Sequence, residues 1–343
     1  MAKKAATRHG MMKENYPLLW VLYAILAILI LLYVVHNSTS LGIVILILIA
    51  VILFAEFKYS VREEGVWKTV MDVAMALAAV AAVWIVLILV LQTESPVDVV
   101  SSCSMLPALQ RGEMVFLHGI PNMTEFLQAH GIPTVNVSQG AYSSFLANIS
   151  GEFLSFYPYA RGNVGDITTY YTGGESIGLY NMKCLYTNSE LGRPGNDGRC
   201  YVPLSAQHSN LIRYNYSIGN VSINGTIYRE VYTSSITIGN TTITENYSNP
   251  IVIYRTNQSD AFTGDIIHRM VAAMRVGDSY YILTKGDNNQ VLDLQALNYP
   301  PSQSDIVGYY IGGVPYLGYL RLIVSGSFTP DPQCGQVTLR SQS

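Results

Sequence analysis

The chain has 343 residues, enough for two or three structural units of the usual size, about 100–200 residues each. Only 13% of the residues are charged, against about 25% in an average soluble protein, and the net charge of −3 is too small to indicate a nucleic-acid partner. No metal site or cofactor is predicted, because the four cysteines show no CxxC spacing and no nearby pair of histidines. These cysteines are Cys103, Cys184, Cys200 and Cys334.

Three apolar runs, at 18–35, 41–55 and 70–91, predict three transmembrane helices within residues 17–92. A helix needs about 20 residues to cross about 30 Å of hydrocarbon. The first and third runs meet this length, whereas the second needs Phe57 or a locally thinner bilayer. A cleaved signal peptide is the alternative for the first run, but no small-x-small cleavage site follows it and the second run comes at once.

The basic residues predict the orientation of these helices. Four precede the first run and three lie between the second and third runs, while the first connection has none. Basic residues favour the cytoplasmic side, so residues 1–16 are predicted to be cytoplasmic and everything after Leu91 to lie outside the cell membrane. The basic residues are Lys3, Lys4, Arg8 and Lys13, then Lys58, Arg62 and Lys68.

From residue 93 onward, short segments rich in Val, Ile, Tyr and Thr alternate with turn residues and predict a mainly β domain. Arg275 to Asp278 should form the turn of a hairpin. The predicted strands are 113–117, 167–171, 251–255, 266–274 and 280–284.

Nine Asn-x-Ser/Thr sequons in this part of the chain indicate an extracytoplasmic glycoprotein. Five of them lie between 215 and 246, within a polar stretch, 171–250, that we expect to decorate the core rather than to form part of the site. Cys184 and Cys200 flank a Gly/Pro/Asn-rich loop there, so either a disulfide between them or two free thiols is expected. The sequons begin at Asn122, Asn136, Asn148, Asn215, Asn220, Asn224, Asn240, Asn246 and Asn257.

Three segments carry the residue types of a serine protease. Ser102-Cys103-Ser104-Met105-Leu106-Pro107 follows the third apolar run and offers a hydroxyl nucleophile. Serine needs a base that removes its proton, a group that orients the base and donors for the oxyanion. The second segment supplies His268, followed by Arg269, and the third is Thr284-Lys285-Gly286-Asp287-Asn288-Asn289.

These segments resemble the motifs of type I signal peptidases, in the branch found in archaea and the endoplasmic reticulum. The nucleophile motif of that family, Ser-x-Ser-Met-x-Pro, matches Ser102, Ser104, Met105 and Pro107. Bacterial relatives have Lys-Arg where this chain has His268-Arg269. Residues 284–289 match the family's Asp motif without change, a further Asp follows at Asp293, and Pro-Tyr-Leu-Gly at 315–318 is a weaker family element.

The resemblance implies a role for each matched residue. Ser104 is the implied nucleophile, His268 its base, and the orienting carboxylate is Asp293 or Asp287, of which Asp293 is favoured. The backbone N–H of Ser104 and the hydroxyl of Ser102 are the implied oxyanion donors. The supporting residues of these motifs are Met105, expected beneath the nucleophile, Arg269, expected to pair with an acidic group, and Pro107, Gly286 and Asn288.

The resemblance also implies a membrane-anchored, mainly β fold with a signal-peptidase-like (LexA-like) catalytic domain. Residues 93–170 and 251–325 are expected to form its two parts, and 326–343 a polar tail. The implied activity is cleavage of signal peptides from preproteins that emerge from the Sec translocon, with the substrate bound as an added strand. The lipid bilayer and further membrane subunits are the other expected partners.

Several alternatives stay open at this point. The thiol of Cys103 is a rival nucleophile, and Lys285 is a rival base. The chain could also be a non-catalytic, glycosylated surface protein on a peptidase-like scaffold. Residues 306–324 are apolar but contain three glycines and a proline, so they predict either a fourth transmembrane helix or a strand followed by a segment on the membrane surface.

Overall fold

The structure is a computed structural model, and it describes residues 16–36, 39–147, 176–179, 193–194, 200–203, 211–223, 225–256, 264–296, 298–327, 329 and 332–340. The chain divides into two compact units. The first comprises Met1–Val90, Gly112–Met114 and Val314–Pro330, and the second comprises Leu91–Arg111, Val115–Gly313 and Asp331–Ser343.

Among the described residues up to Leu91, three helices lie over the apolar runs and confirm that these runs are helical. They are α1 (Tyr16–His36), α2 (Thr39–Glu64) and α3 (Val66–Leu91). Each contains a stretch long and apolar enough to cross a membrane, of 18, 23 and 26 residues. Helix α2 exceeds its apolar run because the helix continues to Glu64, so it needs no thinning of the bilayer. Large apolar side chains of α3, such as Trp67 and Leu89, are 78% and 71% exposed, as expected of a surface that faces lipid.

The 306–324 segment forms a strand, Ile306–Val314, and a short helix, Tyr319–Val324. The six-residue helix extends only about 9 Å, far less than a bilayer. Among the described residues, the three N-terminal helices are therefore the candidate spans, and the fourth transmembrane helix is not formed.

The remaining elements in the described part of the chain are mainly strands. Its further helices are α4 (Met123–Ala129), α5 (Gln139–Ala147) and α6 (Tyr319–Val324). The strands are β1 (Val97–Val99), β2 (Met114–His118), β3 (Thr134–Asn136), β4 (Ser176–Leu179), β5 (Arg193–Pro194), β6 (Cys200–Pro203), β7 (Ile212–Ile223), β8 (Thr226–Ile238), β9 (Thr241–Thr244), β10 (Ile251–Arg255), β11 (Asp265–Val276), β12 (Ser279–Lys285), β13 (Ile306–Val314) and β14 (Gln336–Thr338). Short 3-10 helices lie at Asp293–Ala296, Gln303–Asp305 and Pro332–Gly335.

A seven-stranded sheet carries the motifs. Its order is β1-β2-β13-β10-β11-β12, and β3 pairs with β11 in parallel. Strands β10, β11 and β12 are antiparallel, and the β11–β12 hairpin turns at Gly277-Asp278 as predicted. The predicted strands at 113–117, 251–255, 266–274 and 280–284 correspond to β2, β10, β11 and β12. The predicted strand at 167–171 lies outside the described residues.

The described end of the 171–250 stretch does not lie outside the core, as the sequence had predicted for the whole stretch. Its last part forms β7, β8 and β9, which join β14 in a four-stranded sheet of order β14-β7-β8-β9. Apolar side chains of this part, including Ile212 and Ile236, pack with Val271 and Leu283 of the main sheet in one buried cluster. They alternate with polar residues along the strand, so one face can enter the core. Residues 212–243 therefore contribute to the hydrophobic core of the second unit.

The expected polar tail, 326–343, is also more structured than predicted. Residues 336–338 form β14, which pairs antiparallel with β7 through Gln336, Val337 and Thr338. Thr338 and Arg340 are buried. Because the paired strand lies far away in sequence, no local pattern revealed this contact.

Candidate active site

Ser104 lies in a turn that follows β1. Leu109 N donates to Met105 O at 3.0 Å, which closes the turn, and Met105 and Leu109 are buried among Val100 and Val115. The neighbouring Leu106–Pro107 peptide bond is cis, and the Pro107 side chain is exposed. The apolar anchor at Met105 leaves the adjacent Ser104 partly exposed, as a nucleophile requires.

Ser104, His268 and Asp293 form a continuous hydrogen-bonded chain. Ser104 Oγ lies 2.9 Å from His268 Nε2, and His268 Nδ1 lies 2.7 Å from Asp293 Oδ2. His268 and Asp293 are 7% and 3% exposed. His268 comes from β11, and Asp293 begins a 3-10 helix after β12. This arrangement of hydroxyl, imidazole and carboxylate can transfer the serine proton to the imidazole.

The carboxylate of Asp293 has three donors on one oxygen. Tyr254 Oη donates to Asp293 Oδ2 at 2.8 Å and Thr284 Oγ1 at 2.6 Å, in addition to His268. Burial alone raises the pKa of Asp293, but the charge of His268 and these hydrogen bonds outweigh it and hold the pKa below its usual value. Asp293 is therefore an anion placed to keep the Nδ1 proton on His268.

Asp287 faces a different partner. Arg269 Nε and Nη2 donate to its two carboxylate oxygens at 2.8 and 2.7 Å, and Arg269 Nη1 also donates to Asn249 O. Successive side chains of a strand point to opposite faces. His268 and Arg269 therefore diverge, which pairs Asp293 with His268 and leaves Asp287 with Arg269.

Lys285 is buried and bound to a residue that the sequence analysis missed. Its Nζ lies 2.6 Å from Oε1 of Glu245, which comes directly after β9. Burial, together with the charge of Arg340, lowers the pKa of Lys285 to about 8, although Glu245 opposes this shift. Because the amine bonds to Glu245 whereas the Ser104 hydroxyl faces His268, the geometry does not support Lys285 as the base. Glu245 carried no signal in the sequence, since it lies in the polar stretch expected to be decoration.

Gly286 is required by close packing against the site. A Cβ at this position would lie 2.7 Å from Ser104 O and 2.8 Å from His268 Nε2. The next-but-one residue, Asn288, directly holds the turn that contains Ser104, the candidate nucleophile turn. Asn288 N donates to Ser104 O at 2.7 Å, and Asn288 Nδ2 donates to Cys103 O at 3.0 Å. The Gly-Asp-Asn segment thus packs against both Ser104 and His268.

Ser102 lies beside Ser104. Its Oγ is 3.1 Å from Ser104 Oγ, and both side chains are partly exposed. A hydroxyl at this distance can donate a hydrogen bond to an oxyanion that develops next to Ser104.

Cys103 forms a disulfide with Cys334, 231 residues later in the chain. The side chain between the two serines is therefore not a thiol, and Cys103 is excluded as a nucleophile in this structure. The proposed pairing of Cys184 with Cys200 lies outside the described residues, because Cys184 is not described. The separation of 231 residues leaves no local sequence signal for the Cys103–Cys334 bond.

Comparison with known proteins gives partial matches to one kind of enzyme. The chain is 35% identical over 88 residues to the signal peptidase complex catalytic subunit SEC11 of Chaetomium globosum, which covers 24% of this chain and 48% of that protein. It is 36% identical over 78 residues to the SEC11 subunit of Metarhizium robertsii, covering 22% and 44%, and 34% identical over 79 residues to that of Candida dubliniensis, covering 22% and 46%. The chain spans slightly less than half the length of these curated relatives. No protein-family model and no solved structure matches it.

Proposed function

We propose that this protein is a membrane-bound type I signal peptidase of the archaeal and endoplasmic-reticulum branch, a serine endopeptidase that cleaves signal peptides from preproteins. The observation that carries the proposal is the chain Ser104–His268–Asp293, with its two contacts of 2.9 and 2.7 Å. The partial similarity to signal peptidase catalytic subunits and the three apolar helices support it independently.

In the proposed reaction, Ser104 Oγ attacks the scissile carbonyl carbon while His268 Nε2 takes the hydroxyl proton. The tetrahedral intermediate collapses to an acyl-enzyme ester as His268 gives that proton to the leaving amine. Water then attacks the ester, His268 accepts its proton, and the proton returns to Ser104 Oγ when the new carboxyl end leaves. Asp293 stays ionised throughout and stabilises the imidazolium.

The developing oxyanion would be stabilised by the backbone N–H of Ser104 and the hydroxyl of Ser102. Loss of one such donor typically reduces kcat by about 10²–10³-fold. The 3.1 Å contact between the two hydroxyls supports this role, because it places Ser102 within hydrogen-bond reach of the reacting atoms. Asp287 and Arg269 would support the site without contacting the substrate.

The proposed setting is the cell membrane, with the β-rich unit on the outer side. Charge bias around the helices, the sequons and the Cys103–Cys334 disulfide support this orientation, since disulfides persist in oxidising compartments. Signal peptides would arrive from the Sec translocon and bind as an extended strand. Further membrane subunits are proposed partners, because the similar SEC11 proteins carry the name of a complex.

A precursor-processing assay in reconstituted membranes tests the function. Ser104→Ala and His268→Ala are each expected to abolish cleavage of a secretory precursor, because the first removes the nucleophile and the second the base. Ser101→Ala and His130→Ala are matched controls, since both side chains are exposed and lie outside the hydrogen-bonded chain. Unimpaired cleavage by Ser104→Ala or His268→Ala would rule out the proposal, as would the absence of cleavage by the wild-type chain.

A further inference from the structure

The C-terminal segment forms a covalent bond to the nucleophile turn and a hydrogen bond to Asn288. Cys334 is joined to Cys103, the residue directly before Ser104, with the two Cα atoms 4.9 Å apart. Four residues after Cys334, Thr338 N donates to Asn288 Oδ1 at 2.9 Å. The same segment is held in place as β14, which pairs with β7. A segment expected to be a polar tail therefore contacts both the nucleophile turn and the Gly-Asp-Asn motif.

Asn288 transmits this support to both peptide groups that flank Ser104. With its side-chain oxygen bound by Thr338 N, the amide must direct Nδ2 the other way, where it donates to Cys103 O at 3.0 Å. The backbone N–H of Asn288 donates to Ser104 O at 2.7 Å. Asn288 is 6% exposed, so little water can replace either bond.

The planarity of the peptide bond gives this contact a chemical consequence. In a trans peptide, the carbonyl of one residue and the N–H of the next lie in one plane and point in opposite directions. Fixing the carbonyl of Cys103 therefore fixes the direction of the Ser104 N–H, which is the proposed backbone donor of the oxyanion hole.

We propose that Asn288 and the Cys103–Cys334 disulfide are positioning elements for the reaction, and that they orient the Ser104 N–H toward the oxyanion. The disulfide anchors Cys103, and the β14 segment that follows Cys334 sets the orientation of the Asn288 amide. This inference rests on the proposed peptidase function and adds to it a dependence on the oxidised state of the chain. A dithiol supplies two electrons and two protons, converts the disulfide to two thiols and itself becomes a cyclic disulfide.

Precursor cleavage by the full-length protein, measured with and without dithiothreitol, tests the inference. Oxyanion stabilisation acts in the transition state, so its loss lowers kcat and leaves KM nearly unchanged. We expect reduction of the wild-type chain to lower kcat by at least about tenfold and reoxidation to restore it. Cys334→Ala should show the low kcat in both conditions, and its insensitivity to dithiothreitol controls for reduction of any other disulfide.

Asn288→Asp tests the same role with the disulfide intact. A carboxylate can still accept from Thr338 N, but it has no N–H for Cys103 O, which keeps, among the described residues, only the longer bond of 3.3 Å from Leu106 N. We therefore expect kcat to fall again by at least about tenfold, while thermal unfolding shows that the protein is folded. This variant decides the question if Cys334→Ala fails to fold. A wild-type kcat unaffected by reduction, a full kcat in Asn288→Asp, or a change in KM alone would overturn the positioning role while leaving the peptidase function in place. If the oxidised wild-type chain cleaves no precursor, both proposals fail.

Discussion

The two faces of the β10–β11–β12 sheet each hold buried charges, but they use them differently. On one face, Asp293 forms hydrogen bonds with His268, Tyr254 and Thr284. On the other face, Arg269 pairs with Asp287 and Lys285 pairs with Glu245. Residues 268 and 269 are neighbours in the chain, and so are residues 284 and 285. The pleat of the strands alone separates the two sets.

Only the first face brings a group that exchanges protons near neutral pH to Ser104, because Lys285 on the second face, although its pKa is lowered to about 8, bonds to Glu245 instead. Arginine stays protonated in proteins, so the Arg269–Asp287 pair has no proton to exchange near neutral pH. Histidine can gain and lose a proton in that range, and the second nitrogen of His268 faces Ser104 Oγ. The first face therefore supports the proposed chemistry, whereas the second holds together the end of β12, the segment after β9 and the Gly-Asp-Asn motif.

Beyond the loss of cleavage expected of Ser104→Ala and His268→Ala, the largest expected effect is that of Asp293→Asn on the proposed cleavage. The amide can no longer hold the imidazole in the tautomer that accepts the Ser104 proton, and the corresponding change in serine proteases lowers kcat by about 10⁴-fold. We expect a loss of this size in the precursor assay, with KM little altered.

Asp287→Asn is the matched variant on the opposite face. It removes the charge of one partner of a buried ion pair, which typically costs about 3–5 kcal/mol of stability. The unfolding temperature should therefore fall clearly, whereas kcat should change little. If Asp287→Asn lost cleavage as completely as Asp293→Asn while it stayed folded, the assignment of the two faces would be wrong.

Part of this contrast was predictable from the sequence. The apolar runs predicted three helices because the membrane requirement is local, and the motifs predicted Ser104 and His268 as partners. The orienting carboxylate stayed open between Asp287 and Asp293 because both are near in sequence, and the choice depends on which side of β11 the side chain of residue 268 points to. The resemblance favoured Asp293, and the geometry brings it to His268.

Other parts of the site depend on long-range contacts that have no local signature. Glu245 reaches Lys285 only because β7, β8 and β9 pack against the main sheet. Cys334, which is bonded to Cys103, lies two residues before β14, and β14 pairs with the distant strand β7. Polar composition suggested an insertion outside the core and a polar tail, because composition contains no information about which distant strands pair.

The next largest expected effect is on the pH dependence of the free energy of unfolding, and it comes from Lys285 on the second face. The pKa of Lys285 is lowered to about 8 from 10.5, so between these values the unfolded chain binds more protons than the folded one. The contribution of Lys285 to the free energy of unfolding therefore rises with pH from about 8 to 10.5. We expect this rise in the wild type and its loss in the double variant Lys285→Met/Glu245→Gln, measured by thermal unfolding in detergent across this range. An identical rise in both proteins would show that Lys285 does not titrate in this way.

The smallest expected effect belongs to Tyr254→Phe on the first face, which removes one donor from Asp293 without changing the shape of the side chain. A hydrogen bond to a charged group contributes about 1.5–3 kcal/mol, so the free energy of unfolding at neutral pH should fall by about this amount. Because the pKa of Asp293 is lowered in the folded state, its stabilising contribution is present at neutral pH and is lost as the pH falls through that pKa. The difference in the free energy of unfolding between Tyr254→Phe and the wild type should therefore decrease at acidic pH, because the tyrosine hydroxyl forms a stronger hydrogen bond with the ionised carboxylate than with the protonated one.

The matched control for this variant is Tyr316→Phe, because Tyr316 is an exposed tyrosine. Removing its hydroxyl should leave the thermal unfolding curve unchanged at every pH, since an exposed hydroxyl exchanges its hydrogen bonds for bonds to water. A Tyr254→Phe deficit that stays constant down to low pH would indicate a packing contribution of the tyrosine. A deficit that narrows in acid, and only at position 254, would instead show that the hydroxyl stabilises the Asp293 anion and so supports the face on which proton transfer is proposed.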